Sequence, residues 1–372
     1  MEMYQPYAVI QAERLCHNPA FVIARHRRWH GDLFFHNNFW RLLRRFSPRN
    51  DNYDTASKAG IQRKRYGTPG PHSPAPGKRG VIIKSFILTL ILLLSHSLSC
   101  NAADNSKHLL WTVKGSNNTL YLLGSIHLLK QDSYPLPDKI EALSRCCTTV
   151  VFETDLDGAN DPAFQKNMVT LGSYTEGRTL SKSVSLHTLD LLKKRLTPLG
   201  LQLAQFERFK PWFVALSIAA LELQKLGYDP ELGIDRHFYN RSKKEGKELV
   251  FLETSEYQLN LMSGLKSRKQ ELFLKQILKD LEVVETMSAD MVESWLTGDA
   301  DRLHSIIRIG YKEYPDIYDR FITRRNRNWL PRLRKLMRQD KDVLVIVGSG
   351  HLVGENSLIK LFREKGFMVE QH

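Results

Sequence analysis

Residues 344–353 read LVIVGSGHLV and residues 120–129 read LYLLGSIHLL. Each is a run of aliphatic side chains closed by Gly-Ser, with a histidine three residues past the glycine. Such a run, ended by glycine, is the pattern of a strand buried on both faces at the centre of a helix-covered sheet. Gly124 and Gly348 then permit a tight exit and a close backbone approach. His127 and His351 fall just past the C-terminal ends of their strands, the edge at which open α/β sheets bind ligands. One such histidine reads as an ordinary turn residue. Two in the same setting, in distant parts of one chain, point to a shared site.

The rest of the sheet follows by the same reading. HLLWTVKGSNNTLYLLG (108–124) is a hairpin turning at Gly115-Ser116-Asn117-Asn118. TTVVFETDL (148–156), ELVFLET (248–254) and FMVEQ (367–371) supply three more strands. Helical spacing fills PLPDKIEALSRC (135–146), residues 160–226, GIDRHFYNRSKKEGK (233–247), residues 267–339 and ENSLIKLFREKG (355–366). The expectation is an α/β fold: a central, mostly parallel sheet flanked by helices, with a large helical insertion between its sheet-forming halves. The strands at 119–123, 148–152, 248–252 and 343–347 should share that sheet.

Four polar residues leave these strand ends. His127 and His351 do so, and Glu153 and Glu253 end their own apolar runs. If the strands are neighbours, two imidazoles and up to two carboxylates converge on one edge. Such a set can hold a divalent cation that activates water and polarises a carbonyl. Without metal it can serve as general base and acid. Glu153 could instead cap the next helix, and Glu253 could sit at a helix N-terminus. His187, His237 and His304 lie in helical stretches and read as surface residues.

Charge is uneven along the 372 residues. Residues 1–80 hold 14 Lys and Arg against 5 Asp and Glu, so most of the formal +14 belongs to them. RRFSPRN and QRKRYGTPGPHSPAPGKRG read as proline-broken, solvated tail, a basic extension too poor in apolar residues to order itself. Nucleic-acid binding needs a basic face on a folded module and is not expected. VIIKSFILTLILLLSHSLSC follows, uncharged from Ser85 to Leu98. That is short for a membrane span and has the length of a signal-peptide core. Residues 81–103 are therefore either a cleaved signal or an anchor, and either sends the domain at 104–372 out of the cytoplasm. If uncleaved, residues 85–98 hold it to the membrane. Cys100 also admits a lipoprotein signal. Cys146-Cys147 match no zinc or redox spacing and read as inert thiols.

The chain resembles the TraB/GumN family, which includes the Tiki metalloproteases and is distantly related to erythromycin-esterase and ChaN-like proteins. The matching stretches are LLGSIH (122–127), VVFETDL (150–156), KPW (210–212), GID (233–235), GKELVFLET (246–254), RRNRNW (324–329) and VGSGHLVGENSLIKLFREKGFMVE (347–370). The resemblance implies an active centre at His127, Glu153 and His351, with Arg325 as the family's recurrent arginine and Asn326 beside it. Asp235 is either a helix N-terminal residue or a site carboxylate. A guanidinium at Arg325 would orient a carboxylate or stabilise developing negative charge, unless it is a surface charge on a basic helix.

Three functions fit. The first is a metal-dependent hydrolase, foremost a peptidase of peptide or protein substrates, with manganese, cobalt or zinc on His127, His351 and Glu153. The second is a protein that binds metal or haem in the same pocket without turnover. The third is a membrane-tethered interaction protein. In the first, both rings approach one ion, and alanine at either histidine removes activity while leaving the fold intact.

Overall fold

The computed structural model describes residues 107–175 and 177–372. The expected basic extension at 1–80, the signal or anchor segment at 81–103, Cys16 and Cys100 lie outside the described residues.

Six strands form one sheet: β1 (Leu110–Lys114), β2 (Thr119–Ser125), β3 (Thr149–Phe152), β4 (Glu248–Phe251), β5 (Val343–Gly348) and β6 (Val369–Gln371). Their order across the sheet is β4-β3-β5-β2-β1-β6. The pairs β4–β3, β3–β5 and β5–β2 are parallel, whereas β1 runs antiparallel to both β2 and β6. The four predicted strands therefore share the sheet, contiguously. The hairpin closes where Gly115 N–H donates to Asn118 C=O at 2.8 Å.

Burial explains why the two opening stretches are so apolar. Every residue of β3 and β5 is buried, and Leu120, Leu122 and Leu123 of β2 are fully enclosed. Helices cover the sheet: α1 (Asp138–Cys146), α5 (Ile234–Lys244), α11 (Arg324–Leu336) and α12 (Leu358–Glu364) contribute Ile140, Phe238, Leu333 and Phe362 to one core with the strands. A second core is built from helices and the loops between them. It joins α3 (Leu186–Leu196) and α4 (Pro211–Lys225) to α6 (Ser255–Ser263) and α7 (Ser267–Asp280), around Trp212, Phe213, Leu192, Leu274 and Leu278. The expected insertion is thus two segments, one on each side of β4 in the chain, that fold together.

The remaining helices are α2 (Pro162–Gly172), α8 (Val284–Leu296), α9 (Ala300–Tyr311) and α10 (Pro315–Tyr318). A π-helical turn, Asp319–Thr323, runs into α11. π-Turns inside helices frequently mark functional sites, and here one ends two residues before Arg325. Among the described residues, no helix is long and apolar enough to cross a membrane. Cys146 is exposed and Cys147 buried, both free.

Candidate active site

The parallel ladder puts the ends of β2, β5 and β3 side by side. In its register Leu123 pairs with Ile346, Ile346 with Phe152, and Ser125 with Gly348. Beyond these ends a cleft of about 270 Å³ is lined by Ser125, His127, Phe152, Glu153, Asp235, Gln258 and Ile346, among others.

His127 is exposed on one wall of this cleft, with its Nδ1 3.0 Å from Asp235 Oδ2. Asp235 stands in the first turn of α5, and α5 is docked by its own backbone. Ile234 N–H donates to Ile126 C=O at 3.0 Å. A side chain at Gly233 would collide with the His127 carbonyl, at 2.3 Å. That close approach is what the glycine of GID permits. Asp235, which the sequence left between a structural and a site role, is therefore the partner of the first histidine. The Asp235 carboxylate raises the His127 pKa to about 9, burial opposing it. The ring is over half exposed, so water screens part of this attraction.

Glu153 occupies the opposite wall and is held from behind. Its Oε1 accepts from Gly348 N–H at 2.7 Å, and its Oε2 accepts from Arg325 Nη2 at 2.5 Å and Gln258 Nε2 at 3.0 Å. It does not cap a helix. Burial pushes its carboxyl upward, but Arg325 and then the two imidazoles outweigh burial and hold it well below the usual carboxylate range. Glu253 is not a helix cap either, since Thr254 caps α6 by accepting from Tyr257 N–H. Glu253 instead accepts from Arg325 Nε at 3.1 and 3.0 Å.

Arg325 is 6% exposed, which corrects the reading of it as a surface charge. Its guanidinium bonds two carboxylates and His351, and its cationic face lies 4.6 Å from the Trp329 ring centroid. His351, 3% exposed, packs on the same Trp329 with ring centroids 4.4 Å apart. Arginine can only donate, so His351 Nε2 accepts from Arg325 Nη1 at 3.0 Å. Nδ1–H must then donate to Asn326 Oδ1, at 2.6 Å. Asn326 is fully buried and its Nδ2 spans to the His351 and Asn356 carbonyls. Burial lowers the His351 pKa to about 3, so the ring is neutral.

The fold thus gathers His127, Glu153, His351, Arg325, Glu253, Asp235 and Asn326, yet the two histidines are not equivalent. His351 lies 3.8 Å from Glu153 Oε1 but behind the cleft wall. Both of its ring nitrogens are engaged, as are both oxygens of Glu153. Arg325 stands between them as the cation. Among the described residues no three His, Cys, Asp or Glu side chains are grouped as a metal site. As arranged, one ion shared by the two rings and Glu153 would have to displace Arg325 from both Glu153 and His351. The expectation that neither ring serves the core fails for His351, which is buried against Trp329.

The glycines act through space. Gly348 has φ −50° and ψ 134°, and neither it nor Gly124 is among the positive-φ glycines. A methyl group on Gly348 would lie 3.2 Å from His127 Nε2 and 3.3 Å from Glu153 Oε1. One on Gly124 would meet Ser349 Oγ at 2.8 Å. Sequence reasoning missed Gln258 and Trp329, although LETSEYQ and RRNRNW contain them. Nothing in a lone glutamine or tryptophan marks which way a helix will turn it. The remaining histidines divide: His187 is exposed, and His237 pairs with Glu141 at 2.9 Å. His304 is not a simple surface residue, because its Nδ1 is buried without a partner beneath Gly354.

The model of the TraB/PrgY/gumN family matches residues 109–371. The protein named uncharacterized protein YbaP of Escherichia coli (strain K12) is 25% identical over 267 residues, covering 70% of this chain and 96% of its own. Its Shigella flexneri counterpart matches to the same extent. An uncharacterized protein of Treponema pallidum (strain Nichols) is 20% identical over 307 residues, covering 76% and 91%. No solved structure matches the chain.

Proposed function

The chain belongs to the TraB/PrgY/gumN family, and from that membership and the cleft we propose that it is a hydrolase of peptide bonds, acting outside the cytoplasm. The observation that carries this is the His127–Asp235 pair, which turns Nε2 toward Gly348 and the fixed anion of Glu153. Asp235 holds the ring by its Nδ1 side, so the neutral form carries its lone pair on Nε2, as a general base requires. His127 takes a proton from water and returns it to the leaving amine. Glu153 stays ionised throughout and fixes the water. Arg325, with His351 and Asn326 behind it, is a positioning group that keeps the Glu153 carboxylate in place.

A polymeric substrate is supported by a second cleft of about 800 Å³ past the C-terminal end of β4. Asp155, Phe251, Glu253, Tyr257, Trp329 and Arg332 are among its lining residues. An extended chain seated there would lead to the strand ends that carry Glu153 and Glu253.

Manganese, cobalt or zinc on His127, Glu153 and His351 is the competing form of this reading. It requires Arg325 to release both Glu153 and His351. Cleavage of a peptide library by the full chain, with and without EDTA, decides between them. Turnover that survives EDTA and disappears in His127→Ala supports the metal-free form. Turnover that returns only with added metal supports the other. Binding of metal or haem with no turnover would favour the non-catalytic alternative.

A further inference from the structure

Ser125 has no role in the reading above. It is 3% exposed, lines the cleft, and its Oγ has no hydrogen-bond partner in the protein. Its counterpart in the second motif is satisfied, because Ser349 Oγ donates to the Ser125 carbonyl at 2.9 Å. An orphaned buried hydroxyl is costly, and one that lines a cleft calls for an occupant.

The ladder says where that occupant sits. Ser125 is the direct partner of Gly348, and residues directly opposite in a sheet point to the same face. That face is the one on which Phe152 and Ile346 line the cleft. Gly348 lies between the β2 and β3 strand ends, and His127 Nε2 and Glu153 Oε1 face the cleft beside it, 3.2 and 3.3 Å from where its Cβ would stand. Ser125 borders the cleft from the β2 side.

We propose that Ser125 is a catalytic residue whose hydroxyl donates to an attacking water held in the cleft in front of Gly348. The inference rests on the hydrolase reading. A water there has four directions to fill. One hydrogen goes to Glu153 Oε1 and the other to neutral His127 Nε2. One lone pair accepts the Ser125 hydroxyl, and the second faces the substrate carbonyl. In the step, the water O–H bond to His127 breaks and its proton moves to Nε2. The new bond forms between water oxygen and carbonyl carbon, and the carbonyl π electrons move to its oxygen. Collapse expels the amine, which takes the proton from His127. Ser125 keeps its own proton throughout.

The test compares full-length wild type, Ser125→Ala and Ser125→Thr on a peptide that the wild type cleaves. Ser125→Ala should lower kcat by roughly tenfold, the rate equivalent of one hydrogen bond, with KM unchanged. Ser125→Thr should restore kcat. A loss confined to KM, an unchanged kcat, or covalent labelling of Ser125 by a fluorophosphonate would overturn the proposal, the last by making Ser125 the nucleophile. A high-resolution crystal structure supplies a readout that needs no turnover. Water bonded to both Ser125 Oγ and Glu153 Oε1 in wild type, and lost in Ser125→Ala, supports the placement even if no peptide is cleaved. Ser125 Oγ bonded to a protein group instead would overturn it. Failure of every peptide substrate, with that water present, counts against the hydrolase reading alone.

Discussion

Gly-Ser-Ile-His after β2 and Gly-Ser-Gly-His after β5 are one motif in letters and two devices in space. The parallel ladder sets them one residue out of step, with Gly124 opposite Val347 and Ser125 opposite Gly348. After β2 the chain runs into an open loop, so His127 reaches the cleft with a carboxylate at its back. After β5 it turns into a short 3-10 helix, Ser349–His351, which buries its histidine against Trp329. One ring is exposed with a raised pKa, while the other is enclosed and neutral. A repeated pattern fixes residue type and strand end, but a single step of register decides which face each copy serves.

The largest effect that separates the two copies is expected at the histidines. His127→Ala should cut turnover by about 10²- to 10⁴-fold, the usual contribution of a general base. Its thermal midpoint should barely move, because the ring is solvent-facing. His351→Ala should instead lower stability by roughly 1–3 kcal/mol, since it strands the hydrogen bonds of Arg325 and Asn326 in the interior. Chemical denaturation beside peptide cleavage measures both. Equal loss of stability in the two variants would erase the distinction drawn here.

Arg325 sharpens the same contrast from the buried side. It joins Glu153, Glu253 and His351, so Arg325→Ala leaves two largely enclosed carboxylates without their cation. Breaking a buried pair this way costs about 3–5 kcal/mol. Arg325→Lys should recover part of that stability but not the fork that holds both acids. A variant as stable as wild type would show that the network behind His351 is not what fixes Glu153.

Gly348→Ala reads the space between the copies. The added methyl would press on His127 Nε2 and Glu153 Oε1, both within 3.3 Å. Activity should fall by about tenfold or more through loss of the water position, while denaturation midpoints shift little. At Gly124 the added methyl meets Ser349 instead, its Oγ at 2.8 Å and its Cα and Cβ at 3.3 Å, and neither site group. Gly124→Ala should therefore spare kcat more than Gly348→Ala does.

The sheet was legible because strands buried on both faces have to be apolar along their whole length. That condition picked out 120–123, 149–152 and 344–347; the same apolar pattern picked out 249–252, although the edge strand β4 is only half-buried, and the ladder confirms their pairing. The positions of His127, Glu153 and His351 followed from the strand ends. Their roles did not. RRNRNWLPRLRK offers several arginines of equal appearance, and only the π-turn before α11 and the packing of Trp329 turn Arg325 inward while Arg324 and Arg327 stay exposed. Asp235 reaches His127 across 108 residues of chain, through a backbone contact that only Gly233 permits. Contacts made by close backbone approach leave a glycine in the sequence but not the identity of what it touches.

The smallest effect on stability is in pH, and it sets activity against stability within one pair. An unfolded imidazole titrates near 6.5, and His127 in the fold near 9. A raised pKa means that the His127–Asp235 attraction contributes fully below pH 6.5 and is lost as pH rises through 9. At a half-exposed pair that contribution is under about 1 kcal/mol. The general base, however, is the neutral ring, so kcat/KM should climb over the same interval and level off near pH 9. Asp235→Asn removes the charge that raises the pKa, so its profile should level off nearer 6.5 and at a lower ceiling, the ring being less firmly held. Glu153 behaves oppositely. Its depressed pKa contributes stability above about pH 4.5 that is lost only on further acidification, so it stays ionised across the range in which His127 titrates. His351, neutral throughout, adds no step of its own. A rate that falls rather than rises between pH 7 and 9 would make His127 an acid, and would leave the first copy of the motif without the role assigned to it.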